Sequence, residues 1–156
     1  MVKIVIIRIA GQQGLSRKVK NTFNLLNLHK KNTCTIIDSS KDMKGMINVI
    51  KDHSTWGEID KNTLSLLIEK RGRLPGNVCV DESYVKEKVK KSFDEISSEL
   101  IEGKMKLKDI PGLKQFFRLS PPKKGYAQQG TKKPFSLGGA LGYRKEKIND
   151  LIQRML

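Results

Sequence analysis

The side chains best able to do chemistry in this chain are its cations: 31 Lys and Arg stand against 16 Asp and Glu, a formal net charge of +15. Such an excess speaks to partners rather than to fold, and its natural counterpart is a polyanion. Its placement says more than its size. Residues 1–37 hold seven bases (Lys3, Arg8, Arg17, Lys18, Lys20, Lys30, Lys31) and no acid, and residues 111–145 hold eight (Lys114, Arg118, Lys123, Lys124, Lys132, Lys133, Arg144, Lys145) and no acid. Residues 38–110 carry fourteen of each sign, and the last eleven residues cancel. Phosphates favour Lys and Arg through counterion release, whereas a carboxylate in the same footprint is repelled, so acid-free runs mark where a nucleic acid lies.

Other chemistries find little support. His29 and His53 have no Cys or Asp at ligand or triad spacing. The pairs Asp81 with Glu82 and Asp94 with Glu95 fall in first turns of helices, where they complement the helix dipole. Cys34 and Cys79 are too few for a disulfide scaffold and are expected to be buried thiols. The loop AGQQGLS (10–16) lies between a strand and a helix but lacks both phosphate-loop spacings. A milder role survives for it: exposed amides at the helix start at Ser16, with Gln12, Gln13, Arg17 and Lys18 beside them, can hold an RNA phosphate. No catalytic residue, metal site or cofactor is expected.

Five of the nine aromatic residues (Phe116, Phe117, Tyr126, Phe135, Tyr143) fall within the second acid-free run. Phe116 and Phe117 should flank a strand, with one ring in the core. Tyr126 and Tyr143, beside Lys124 and Arg144 in glycine-rich context, are expected to stack on bases or sugars while the cations meet phosphate. Lys123, Lys124 and Tyr126 should act as one unit, aimed away from the sheet by Pro121 and Pro122. A membrane surface is a poorer partner, because the bases are not arrayed on one amphipathic helix opposite large apolar residues. Nor does any apolar stretch approach the ~20 residues of a spanning helix, and the MVKIVIIRIA start, interrupted by Lys3 and Arg8, reads as a strand rather than a signal. A soluble, reducing compartment is expected.

The elements that must position these side chains are legible in part. A chain of 156 residues suits one domain. VKIVIIRIA (2–10) reads as a central strand with Ile4 and Ile6 on one face and Val5, Ile7 and Ile9 on the other. Ser16 caps a helix carrying Val19, Phe23 and Leu26, TCTII (33–37) is a second strand, and Ser40 caps a helix with Met43, Met46, Ile47 and Ile50. Residues 59–112 read as a helical insertion, with Asp60 as N-cap, Gly72 as a stop, a short helix from Asp81, a Ser92–Glu95 capping box and a stop at Gly103. QFFRL (115–119) is expected to return to the sheet as the third strand. The expected partition is an α/β core of 1–58 and 113–120, an extended arm over 121–143, and a C-terminal helix over 144–156 with Ile148, Leu151, Ile152 and Met155 on one face.

The strings TWGEID (55–60), GRLPGN (72–77), FRLSPPKKGY (117–126) and GGALGYRKEKIN (138–149) resemble, in this order and over nearly the whole chain, the archaeal form of the large-subunit ribosomal protein family L-thirty, whose eukaryotic member is L-seven. LNLHKKNTCTII (26–37) followed by KGMINVI (44–50) is also similar to the short bacterial form. Ala10, Thr33 and Ser120 depart from the family, which favours a basic residue, a histidine and a histidine there. The resemblance implies a ferredoxin-like-related α/β sandwich, a β-α-β-α core closed by a third strand. It also implies a structural, non-enzymatic role with large-subunit ribosomal RNA as partner (23S, with 5S as a second candidate), beside neighbouring ribosomal proteins, in the cytoplasmic ribosome. The alternative is an RNA-binding or nucleic-acid-processing protein outside the ribosome. The expected contact set is Arg8, Gln12, Gln13, Ser16, Arg17, Lys18, Lys44, Arg71, Arg73, Arg118 and, on the arm, Lys123, Lys124, Tyr126, Lys132, Lys133, Tyr143 and Arg144.

Overall fold

The computed structural model describes residues 2–156. The first strand, β1 (Lys3–Arg8), has every residue buried and sits at the middle of the sheet. Strand alternation gives it two apolar faces, so it needs a layer of helices on each side. On one face, Ile4 and Ile6 meet α1 (Arg17–Leu25) and α2 (Lys41–Ile50) through Val19, Phe23, Ile47 and Ile50. On the other, Val5 and Ile7 join the larger cluster with α3 (Lys61–Arg71), α4 (Glu82–Val89), α5 (Phe93–Glu102) and α6 (Ile148–Met155). Each fully buried Ile or Val contributes about 1.5–3 kcal/mol.

The helix starts follow their caps. Ser16 accepts from the Val19 amide at 3.4 Å and Ser40 from the Met43 amide at 3.2 Å. At the start of α5, Ser92 and Glu95 exchange bonds, and Gly103, at φ 79°, ends it. Asp60 stands at the N-cap of α3 without a side-chain bond; its own amide instead donates to Asn149 Oδ1 of α6 at 3.0 Å.

The third strand differs from expectation. Strand β2 (Thr33–Asp38) pairs antiparallel with β1, but the other side of β1 is taken by β3 (Ser54–Glu58). The expected return strand, β4 (Phe116–Arg118), lies on the outer edge of β2, and β5 (Gly142–Tyr143) runs parallel to β3, giving the order β4-β2-β1-β3-β5. STWGE does not read as a strand because its polar residues are satisfied by partners outside the strand, one on the preceding turn and one far along the chain. The Ser54 hydroxyl donates to the Ile50 carbonyl and that of Thr55 to the Gly142 carbonyl, both at 2.8 Å. Gly57 is required by contact: a Cβ there would lie 2.2 Å from the Lys145 carbonyl oxygen.

Residues 59–112, expected as a helical insertion, cover the second sheet face, since Leu64, Leu67, Ile68, Ile96 and Leu100 share one cluster with Val5 and Ile7. The stretch after β4 is likewise tied down rather than free. The Ser120 and Lys123 amides donate to the Met155 and Arg154 carbonyls at 2.9 Å, and Arg154 Nη1 returns a bond to the Gly125 carbonyl at 3.0 Å. Farther along, the Phe135 amide donates to Leu141 O at 2.7 Å, and Ala140 is fully buried. This strap begins against the last residues of α6 and ends as the edge strand β5.

Candidate nucleic-acid interface

Five cations from three distant stretches converge on one groove beside the β4 edge of the sheet. Lys30, Arg71, Arg73, Lys114 and Arg118 line a cavity of about 370 Å³ together with His29, Phe116 and small polar residues, and no Asp or Glu lines it. Each is placed by a local device. Lys30 follows the turn that ends α1, where Asn27 takes φ 58° and the Leu28 amide donates to the Phe23 carbonyl. Arg71 is the last residue of α3. Arg73 opens the GRLPGN loop, closed by Leu74 N–H donating to Val78 O at 2.9 Å and turned at Gly76, whose φ of 78° suits glycine. The Lys114 amide bonds the Arg73 carbonyl at 3.0 Å, and Arg118 lies opposite Thr33 in the β4–β2 pair.

A smaller recess of about 160 Å³, lined by Arg8, Gln12, Lys20 and Asn24, adjoins this groove. His29 joins the two: its carbonyl accepts from Arg8 Nη1 at 3.1 Å and from Gln12 Nε2 at 3.4 Å, while its Nδ1 lies 3.4 Å from Asn24 Oδ1. Arg17, Lys18 and Lys20 stay exposed on α1, which has no acid in its first turn. Neither cavity is lined by an acid, so phosphate oxygens would meet side-chain cations there and carboxylates would not oppose them.

Several expected contact residues are committed elsewhere. Arg8 is 2% exposed; its guanidinium donates to the carbonyls of Ala10, Gly11, Leu28 and His29 and lies 4.3 Å from the Phe23 ring centroid. It therefore staples the loop and the α1–β2 turn to β1, and burial lowers its pKa. Arg144 is also buried, donating to Thr55 Oγ1 and the Ala140 carbonyl, both at 3.0 Å, over the Phe135 ring; burial, then the charge of Arg154, bring its pKa down to about 10. Tyr126 packs, partly buried, on the larger core cluster and its hydroxyl donates to Asn32 Oδ1. Lys123 and Lys124 beside it remain exposed, which separates the expected three-residue unit into two cations and a packing tyrosine. Tyr143 stays exposed but donates to the Glu58 carboxylate, an acid beside a position expected to meet phosphate. Cys34 is buried as expected, and burial pushes its thiol pKa well up; Cys79, in contrast, is exposed beside Arg73.

Arg71 has two roles, since Nη2 donates to Ser120 Oγ at 2.6 Å and to the backbone oxygen of Leu156 while the side chain lines the groove. Arg73 lines the same groove, half-buried. Gln13, Ser16, Lys44, Arg118, Lys132 and Lys133 are exposed. Lys132 and Lys133 sit on the strap, in a stretch separate from the groove-lining residues. The sequence reading did not single out Lys30 and Lys114 from their acid-free runs, nor His29 and Phe116. Alternation in β4 carried a usable signal for the last, since Phe117 is fully buried and its neighbour must face the other way. Among the described residues, no group of three or more His, Cys, Asp or Glu could hold a metal ion, and no helix is long and apolar enough to cross a membrane.

The model of the family "Ribosomal protein L30p/L7e" matches residues 4–53, from β1 to the end of the α2 turn. The large ribosomal subunit protein uL30 of Nanoarchaeum equitans is 47% identical over 156 residues, the whole of both chains. Those of Methanococcus maripaludis and Archaeoglobus fulgidus are 47% and 41% identical over 151 residues, covering 97% and 96% of this chain and 97% of each relative. With identity of this level running from end to end, the chain belongs to the uL30 family of large ribosomal subunit proteins.

Proposed function

We propose that this protein is a structural constituent of the large ribosomal subunit that binds folded ribosomal RNA and holds it in place. The observation that carries the reading is the groove: cations at positions 30, 71, 73, 114 and 118, far apart in the chain, are gathered on one surface from which acids are absent. Family membership supplies the ribosomal context. The RNA partner is 23S ribosomal RNA, with 5S ribosomal RNA as the second candidate, and neighbouring ribosomal proteins complete the setting. Arg17, Lys18, Lys20 and Lys44 on the α1–α2 layer, and Lys123, Lys124, Lys132 and Lys133 on the strap, extend the contact beyond the groove. The amides at the start of α1 add a phosphate seat by Ser16. The role is one of positioning rather than catalysis, with cations placed where phosphates converge.

Ultraviolet cross-linking within purified archaeal large subunits, followed by peptide mapping, tests this directly. Cross-linked nucleotides should fall on peptides containing residues 27–33, 71–77 and 114–118. Cross-links confined to α4 and α5 would contradict the reading.

A further inference from the structure

The groove holds more than cations. Phe116 and His29 meet inside it with centroids 6.3 Å apart and planes at 89°, an edge-to-face pair that does not stack ring on ring. Phe116 is half-buried, lines the cavity and belongs to neither apolar cluster, so the core does not account for its aromaticity. Asn27 and Asn77, both at left-handed φ (58° and 66°), bring amide side chains to the same cavity, together with the buried Thr33. Its volume of about 370 Å³ falls in the range of sites for small ligands, roughly 300–1,000 Å³.

An intact A-form duplex makes little use of such a cavity. Its bases are stacked, its major groove is too deep and narrow for side chains, and its phosphates are served by open cationic surface. An unstacked base, by contrast, offers a π-face to an aromatic ring and hydrogen-bonding edges to amides, and its own phosphates reach the surrounding guanidinium and ammonium groups. Resting on the reading of this groove as the RNA-contacting surface, we propose that it takes a single unpaired nucleotide of the RNA, with the base on Phe116, its edge met by Asn27 or Asn77, and the flanking phosphates held by Arg73, Lys114 and Arg118.

The test uses the full chain and two RNA hairpins that differ only in one bulged 2-aminopurine, present in one and absent from the fully paired other. Free adenosine monophosphate serves as a third probe. The bulged hairpin should bind more tightly than the paired one, with a change in 2-aminopurine fluorescence on binding. Phe116→Ala should weaken the bulged hairpin alone, by ~5- to 150-fold, and leave the salt slope unchanged. Phe116→Leu, which keeps apolar bulk on β4 and removes the π-face, should weaken it in the same sense, so the comparison stands even if the alanine variant folds poorly. Equal binding of both hairpins, unmoved by either substitution, would overturn the nucleotide site while leaving the groove as a phosphate-contacting surface. Failure of both hairpins to bind at all would overturn that surface as well. Adenosine monophosphate binding as tightly as the bulged hairpin would show the site to be one for free nucleotides instead.

Discussion

At the scale of single residues, the charge of this protein divides into cations that hold the protein together and cations left for a partner. Arg8 donates to four backbone carbonyls, and Arg8→Met removes all four bonds and leaves the Leu28 carbonyl, the buried one, without this donor. One unsatisfied buried group costs ~1–3 kcal/mol, so chemical denaturation should show a loss of about that size. Tyr126→Phe removes only the bond to Asn32. It should cost ~0.5–1.5 kcal/mol of stability and leave RNA affinity unchanged, whereas weakened RNA binding at unchanged stability would restore the tyrosine to the interface. Cys79 is exposed and Cys34 buried with a raised pKa. Maleimide labelling of the native protein followed by mass measurement should add one label, and two after unfolding; two labels in the native state would contradict the burial of Cys34. None of these distinctions could be read from composition. A sequence counts Arg8 and Arg144 with the other bases of their runs, because the carbonyls and rings that capture them are assembled only by the fold.

At the scale of elements, legibility followed how local the determinants are. The strand β1 and helices α1 and α2 were readable because alternation, helical spacing and the Ser16 and Ser40 caps are all encoded within a few residues. Strand β3 was not, because Gly57 is small for the sake of Lys145 and Ile148, some ninety residues on in the chain. Gly57→Ala forces a Cβ into that contact and should lower stability by ~1–3 kcal/mol, or more if the α6 junction cannot shift. The anchoring of the strap was hard to read for a similar reason: its few apolar residues lack periodicity, yet Ala140 is buried and backbone bonds run to Arg154 and Met155. Replacing residues 121–142 with a short glycine-serine splice should therefore lower the melting temperature. A loss of roughly 3 kcal/mol corresponds to ~6–12 °C for a chain of this size. A melting temperature within a degree or two of the parent would show the strap to be an extended arm that adds nothing to the core.

At the scale of the whole molecule, a sheet covered on both faces by helices carries at one edge a groove lined by five cations and no acid, assembled from segments that the sequence keeps apart. The charge excess was visible beforehand. Its convergence was not, because Lys30, Arg73 and Arg118 become neighbours only when α3 and the GRLPGN loop close over the β2–β4 edge. Placing the RNA there has a direct consequence for salt dependence, since each engaged phosphate on a duplex contributes a slope of about −0.9 in the logarithm of affinity against the logarithm of salt, and about −0.7 on a single strand. The decisive measurement is a titration of ribosomal RNA at salt concentrations from ~50 to ~200 mM, comparing the parent protein with Lys30→Ala/Arg118→Ala and with Lys86→Ala/Lys88→Ala, which removes the same charge from the exposed face of α4. The account predicts a steep parent slope, reduced by about 1.4–1.8 in the groove variant and nearly unchanged in the α4 variant. Equal losses in the two variants, or a flat response of the parent, would contradict it.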